Sequence, residues 1–176
     1  MELWGRSGIT PRRLEGLVRR GLLRLLSVVG EWLLRGDESE PAPPKGYVVS
    51  FAVFHERGFA VPVHRFLRGL LDYYQVELQH LTPNGVLGID PHFDLWRHFF
   101  TVSLSKRKIG GNDVCVPMGC ASVHLRHTQS RGYPFMRLAT SNKGWHSQWV
   151  YIRDDVSATL PRYTGRLIEE APGSWA

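Results

Sequence analysis

The chain has 176 residues, 43% apolar and 22% charged, the composition of a globular chain long enough for a core rather than of a disordered one. With two cysteines, Cys115 and Cys120, a disulfide scaffold is excluded and an intracellular setting is expected. The net charge of +6 is unevenly spread: residues 97–153 carry nine Lys or Arg against one acid, Asp113, while residues 37–96 are net acidic. Such a basic block suits a phosphate-bearing partner, or is simply a solvated face.

Thr10-Pro11 reads as a helix cap followed by proline in the first turn. Leu14, Leu17, Val18, Leu22, Leu25 and Val29 recur at helical spacing, with Gly21 a place to end one helix and begin another. The run from Leu22 to Leu34 carries Arg24 and Glu31 and is too short to span a bilayer, so no membrane partner is expected. Residues 1–35 read as an amino-terminal helical arm, either one amphipathic helix packed on the domain, the preferred reading, or half of a helix-turn-helix, and available for self-association. Residues 36–46, "GDESEPAPPKG", read as an extended Pro-rich linker to a main body at 47–165, and 166–176 as a tail.

"YVVSFAVF" (Tyr47 to Phe54) is a buried strand or a buried helical segment, and periodicity does not choose between them. Pro62 is placed to open a helix whose stripe is Val63, Phe66, Leu67, Leu70, Leu71 and Tyr74. Asp90-Pro91 is a second cap, ahead of Leu95, Trp96, Phe99 and Phe100. "SKRKIGGND" reads as a basic loop. "VCVPMGCASVHLR" reads as two short strands around Pro117 to Gly119, and "YPFMRLAT" as another strand. "GWHSQWVYIRDD" reads as a strand with Trp145, Ser147, Trp149 and Tyr151 on one face. Helices first and strands later give an α+β fold, with central amphipathic helices and carboxyl-side antiparallel strands.

The combination of "FHERGF", "LTPN", "LGIDPHFDLW" and "SNKGWH", after Gly21-Leu22-Leu23, Trp32 and a Pro-rich linker, resembles the gypsy-type transposon domain of plants, also labelled a transposase domain and abundant in grass genomes. The resemblance runs from about Ile9 to about Gly165. It implies an origin in a transposable element, at the front of a retrotransposon polyprotein, and brings no catalytic residue with it. It also implies that "LTPN" continues into an apolar helix, about four turns long, that this chain lacks between Asn84 and Gly88. That join reads as a degenerate copy or a skipped exon segment, and predicts under-covered apolar surface near Leu67, Leu71, Trp96 and Phe100. Members continue into longer regions, so the chain reads as a fragment.

The residues offer little chemistry. Cys115, Cys120, His124 and His127 do not have the spacing of a nucleocapsid knuckle, so buried cysteine and a surface histidine pair are expected rather than zinc. Metal-dependent strand transfer needs spaced carboxylates, and with acids almost absent from 97–153 a triad would have to draw on Glu56, Asp72, Asp90 or Asp94, of which Asp90 reads as a helix cap and Asp94 as a surface pair with His98. Singly replacing Asp90, Asp94, Asp154 and Asp155 tests the transposase alternative. "YIRDD" has one residue too many for the Tyr-x-Asp-Asp turn of reverse transcriptases. His55 reads as a turn residue positioning Phe59 rather than as a base. No cofactor motif is present. Nucleic-acid association is the activity best supported. Its candidate residues are the cations Lys106, Arg107, Lys108, Lys143 and Arg153 with the stacking aromatics Trp145 and Trp149, set against a core-plus-solvated-charge reading. The sequence thus predicts a non-enzymatic assembly or nucleic-acid module, the alternatives being a degenerate transposase fragment or an inert relic.

Overall fold

The computed structural model describes residues 4–23, 32–82, 93–129, 144–154 and 160–175. Its first helix, α1 (Pro11–Arg19), starts where Thr10 accepts the Arg13 N–H on its hydroxyl, with proline in the first turn where no intrahelical donor is needed. Gly21, at φ 70°, ends it, and the Leu22 N–H returns to the Leu17 carbonyl at 2.9 Å. Leu14 and Leu17 are fully buried. This face packs inside the chain, where Trp4, Ile9 and Leu23 join it in the core. Leu25 and Val29 lie outside the described residues.

Trp32–Leu33 (β1) is a strand rather than helix. The 47–54 segment resolves as both alternatives in succession: Tyr47–Phe51 (β2) is extended and Ala52–Glu56 (α2) is helical. The segment between β1 and β2 is irregular but packed. Pro41 is buried, and the Tyr151 hydroxyl donates to the Glu38 carboxylate while accepting the Ala42 N–H at 2.8 Å. The next helix, α3 (Arg65–Tyr73), begins three residues later than Pro62 suggested. The cap is His64, whose Nδ1 accepts the Phe66 N–H at 3.3 Å; the Val61–Pro62 peptide is cis and precedes the helix. A one-turn 3₁₀ helix follows at Leu78–His80.

Beyond it come α4 (Phe93–Phe99), β3 (Phe100–Leu104), β4 (Arg107–Ile109), β5 (Asn112–Val114), β6 (Ala121–Leu125) and β7 (Trp149–Arg153), with one-turn 3₁₀ helices at His127–Gln129, Trp145–Ser147 and Gly173–Trp175. The Asp90-Pro91 cap, the Asn84 to Gly88 join and "YPFMRLAT" lie outside the described residues. The fold is α+β, and the strand pairs among the described residues are antiparallel. β7 is the centre of a three-stranded sheet ordered β1-β7-β2, with Tyr47 opposite Arg153 and Phe51 opposite Trp149. β3 pairs with β6, and β4 with β5. The two strands expected around Pro117 to Gly119 exist but pair with different partners. A single parallel bridge, Leu81 to Ala121, and a 2.8 Å bond from the Gly119 N–H to the Gln79 carbonyl tie β6 to the 3₁₀ turn after α3.

In β7, Trp149, Val150, Tyr151 and Ile152 are all at most 1% exposed, so both faces of the strand are covered. Its first residue and the turn before it bond to the amino-terminal segment. Ser7 donates its hydroxyl to the Trp149 carbonyl, the Trp149 indole donates to the Gly5 carbonyl at 3.0 Å, and the Gly8 N–H donates to the Ser147 carbonyl at 2.7 Å. Of the four residues expected to be under-covered, Leu71 and Trp96 are buried while Leu67 and Phe100 are half-buried against the core. The indole of Trp96 packs on Tyr74 and Phe100 with ring centroids 5.4 and 5.5 Å away.

Candidate nucleic-acid interface

"SKRKIGGND" is not a loop but a hairpin. Gly110 and Gly111 both hold positive φ, 58° and 87°, which a two-residue turn of this hand demands and which side chains resist. The turn joins β4 to β5 and sets Arg107 opposite Val114, Lys108 opposite Asp113 and Ile109 opposite Asn112. Side chains alternate along a strand. Lys108 and Asp113 therefore share one face of the ribbon, and Arg107, Ile109, Asn112 and Val114 share the other. Ile109 and Val114 are half-buried, so that second face looks toward the body. Arg107 goes with it: together with partial burial, its charge lowers the pKa of His146. Lys106, Arg107 and Lys108 are all exposed.

The aromatic partners are not beside them in the same sense. Trp149 is 0% exposed, with its indole N–H committed to Gly5, which leaves no face for a base. It is a core residue. Trp145 is half-buried, its ring 4.7 Å from Phe51 and 5.5 Å from Phe54 between centroids. Gly119, at φ 63°, lies under it so closely that a Cβ there would fall 2.8 Å from Trp145 Cζ2. Both tryptophans thus act in packing, which strand alternation alone does not separate from exposure. Arg153 is exposed at the far end of β7 from Trp149, roughly 13 Å along the strand at about 3.3 Å per residue. Lys143 lies outside the described residues.

Two buried polar groupings lie elsewhere in the fold, and only the second carried no signal in the sequence. In the first, His55 is fully buried, its Nδ1–H donates to the Phe59 carbonyl at 3.1 Å, and its Nε2 accepts from the Ser50 hydroxyl at 3.0 Å. Burial lowers its pKa to about 4, against the pull of the Phe59 and Leu22 carbonyls. His55 holds the turn to Phe59, as its place in "FHERGF" suggests, and nothing reaches it from solvent. In the second, the Glu77 carboxylate accepts from the Gln79 amide, the Thr164 N–H at 2.9 Å and the Thr164 hydroxyl, with Arg166 Nε 3.4 Å away. His80 accepts the Glu77 N–H at 2.9 Å on Nδ1 and donates from Nε2 to the Arg166 carbonyl at 3.1 Å. Its pKa too is lowered by burial. The two nitrogens are thus used as one acceptor and one donor, the needs of a neutral ring. This grouping clamps residues 164–166 to the 3₁₀ turn, a structural rather than reactive role.

Of the residues weighed as metal ligands, Cys120 is buried, with its thiol pushed up to about 11 by desolvation; Cys115 is half-buried; His124 and His127 are exposed. Asp154 is buried and accepts the Leu160 N–H at 2.6 Å, while Asp94 is exposed on α4. Among the described residues no group of three or more His, Cys, Asp or Glu is placed to hold a metal ion. No helix among them is long and apolar enough to cross a membrane.

An α+β fold with a basic two-stranded ribbon on its surface is the class these features define. Residues 48–104, about a third of the chain, match the family described as "Putative gypsy type transposon", the family that the sequence motifs resemble. The match runs from β2 through the end of β3 and stops short of the basic ribbon. No curated protein and no solved structure matches the chain.

Proposed function

We propose that the chain is a non-enzymatic, transposable-element-derived module that associates with nucleic acid through the β4–β5 ribbon. The observation that carries this reading is the run of three exposed cations, Lys106, Arg107 and Lys108, at the edge of an element whose single acid is Asp113. Cations at this density neutralise phosphates and release condensed counter-ions, which gives affinity without base recognition. The transposon segment supports the reading by placing the chain among element-derived proteins, where nucleic acid is the shared environment.

The test is a titration of fluorescently labelled 20-nucleotide strands and duplexes by anisotropy between 50 and 200 mM salt. Binding is expected at low salt, and its logarithm is expected to fall with the logarithm of salt at a slope of about −2.7 on duplex if three phosphates are neutralised. No binding of either form at 50 mM salt would reject the reading and leave an inert element relic in its place.

A further inference from the structure

The geometry points to double-stranded DNA as the ligand of the ribbon, docked in the major groove with Lys106 and Lys108 on the phosphates. The inference rests on the nucleic-acid reading above and goes beyond it in naming the form recognised. Single-strand binders combine cations with aromatic faces on which successive bases stack. Here the aromatics that the sequence groups with the cations are withdrawn. Trp149 has no exposed surface, and Trp145 lies against Phe51, Phe54 and Gly119. Among the described residues of this region, what the surface keeps is charge on a narrow two-stranded element.

The shape fits one groove. Two paired strands lie about 4.8 Å apart, and a ribbon of that width with its side chains enters the B-form major groove, which is about 12 Å wide. The A-form groove of duplex RNA is too deep and narrow to admit it. Alternation divides the labour. Lys108 stands on the outward face opposite Asp113, and Arg107 stands on the body-side face near His146. Arg107, on the body-side face, is turned away from the groove and contributes less to phosphate contact. Asp113, on the docking face, opposes the phosphates and limits affinity.

The experiment compares four probes of equal length: duplex DNA, single-stranded DNA, duplex RNA and single-stranded RNA, each titrated with the parent chain and three variants. Circular dichroism checks that the exposed substitutions leave the fold intact. Duplex DNA is expected to bind most tightly. K106A/K108A is expected to reduce its salt slope by about 1.8, the share of two phosphates. R107A is expected to change that slope less, and Asp113→Asn to tighten binding to duplex DNA. A tenfold or greater preference for single strands, or equal binding of duplex RNA, overturns the groove-docking inference while the nucleic-acid reading stands. Duplex binding unchanged in K106A/K108A also overturns it, by moving the contact off the ribbon. Failure of all four probes overturns the nucleic-acid reading and this inference together.

Discussion

His55 is neutral because the fold gives its charge no solvent. Its folded pKa is about 4, below the value of 6.5 in the unfolded chain. Between those values the unfolded state binds a proton that the folded state refuses, so its contribution to stability is full above pH 6.5 and is lost as pH falls toward 4. A shift of this size is worth about 3 kcal/mol, accumulated at about 1.4 kcal/mol per pH unit. His80 and His146 are shifted in the same direction, each first by desolvation, and steepen the loss. Urea unfolding followed by tryptophan fluorescence at pH 7 and pH 4 should show the midpoint falling, and less steeply in His55→Asn than in the parent. An equal fall in both would mean that carboxylate protonation, not His55, sets the acid limit. The variant is also expected to be less stable at pH 7, because Ser50 and the Phe59 carbonyl each lose a buried partner there.

Elements were legible where a single local signal sufficed. Thr10-Pro11 caps α1, and the apolar stripe through Leu70 and Leu71 buries α3, because a cap or a helical face is written in neighbouring residues. The basic ribbon was not legible as strand, since its residues are charged on one face and its neighbours in space, such as His146, are distant in sequence. The Gly110-Gly111 pair was the one available signal for it. Its exposed cations were still legible, because charge rarely goes inside unpaired. The burial of Trp149 was not, because alternation is the same for a half-exposed strand and for a central one covered on both sides. Gly119 belongs to this scale, since it joins the β5–β6 connection to the Trp145 turn. Gly119→Ala would put a methyl 2.8 Å from the indole at a φ of 63° that side chains resist. The expected cost is about 2 kcal/mol, from strain together with displacement of Trp145 from Phe51 and Phe54. Urea denaturation would show it as a lower midpoint, with a red shift in the native emission. An unchanged midpoint would mean that the connection moves freely.

At the scale of the molecule, the segments read as arm and tail contribute to the same core as the family segment. Trp4 stacks on Phe51 at 6.2 Å and meets Trp149 and Tyr163 edge-on at 6.5 and 5.8 Å. Arg13 and Arg20 of the amino-terminal segment both reach Glu56 at the end of α2, pairs too exposed to contribute much alone. From the other end, the Trp175 indole donates to the Tyr74 carbonyl at 2.8 Å, and Thr164 and Arg166 satisfy Glu77. At the amino end the helical spacing of Leu14 and Leu17 already spoke for a helix packed on the domain, whereas the carboxyl-side segment, without periodicity, was not legible as core. Deleting residues 1–35 removes Trp4, Leu14, Leu17 and Trp32 from their packing and uncovers Phe51 and Phe54 as well as the Trp149 indole N–H. Loss of even two large buried side chains costs about 5 kcal/mol or more, comparable with the whole stability of a domain. The 36–176 chain is therefore expected to lack dispersed amide proton shifts and near-ultraviolet circular dichroism, whereas the full chain unfolds in one transition. A deletion variant that kept both signals would establish the first 35 residues as a separable arm, and would free α1 for the self-association that its apolar face first suggested.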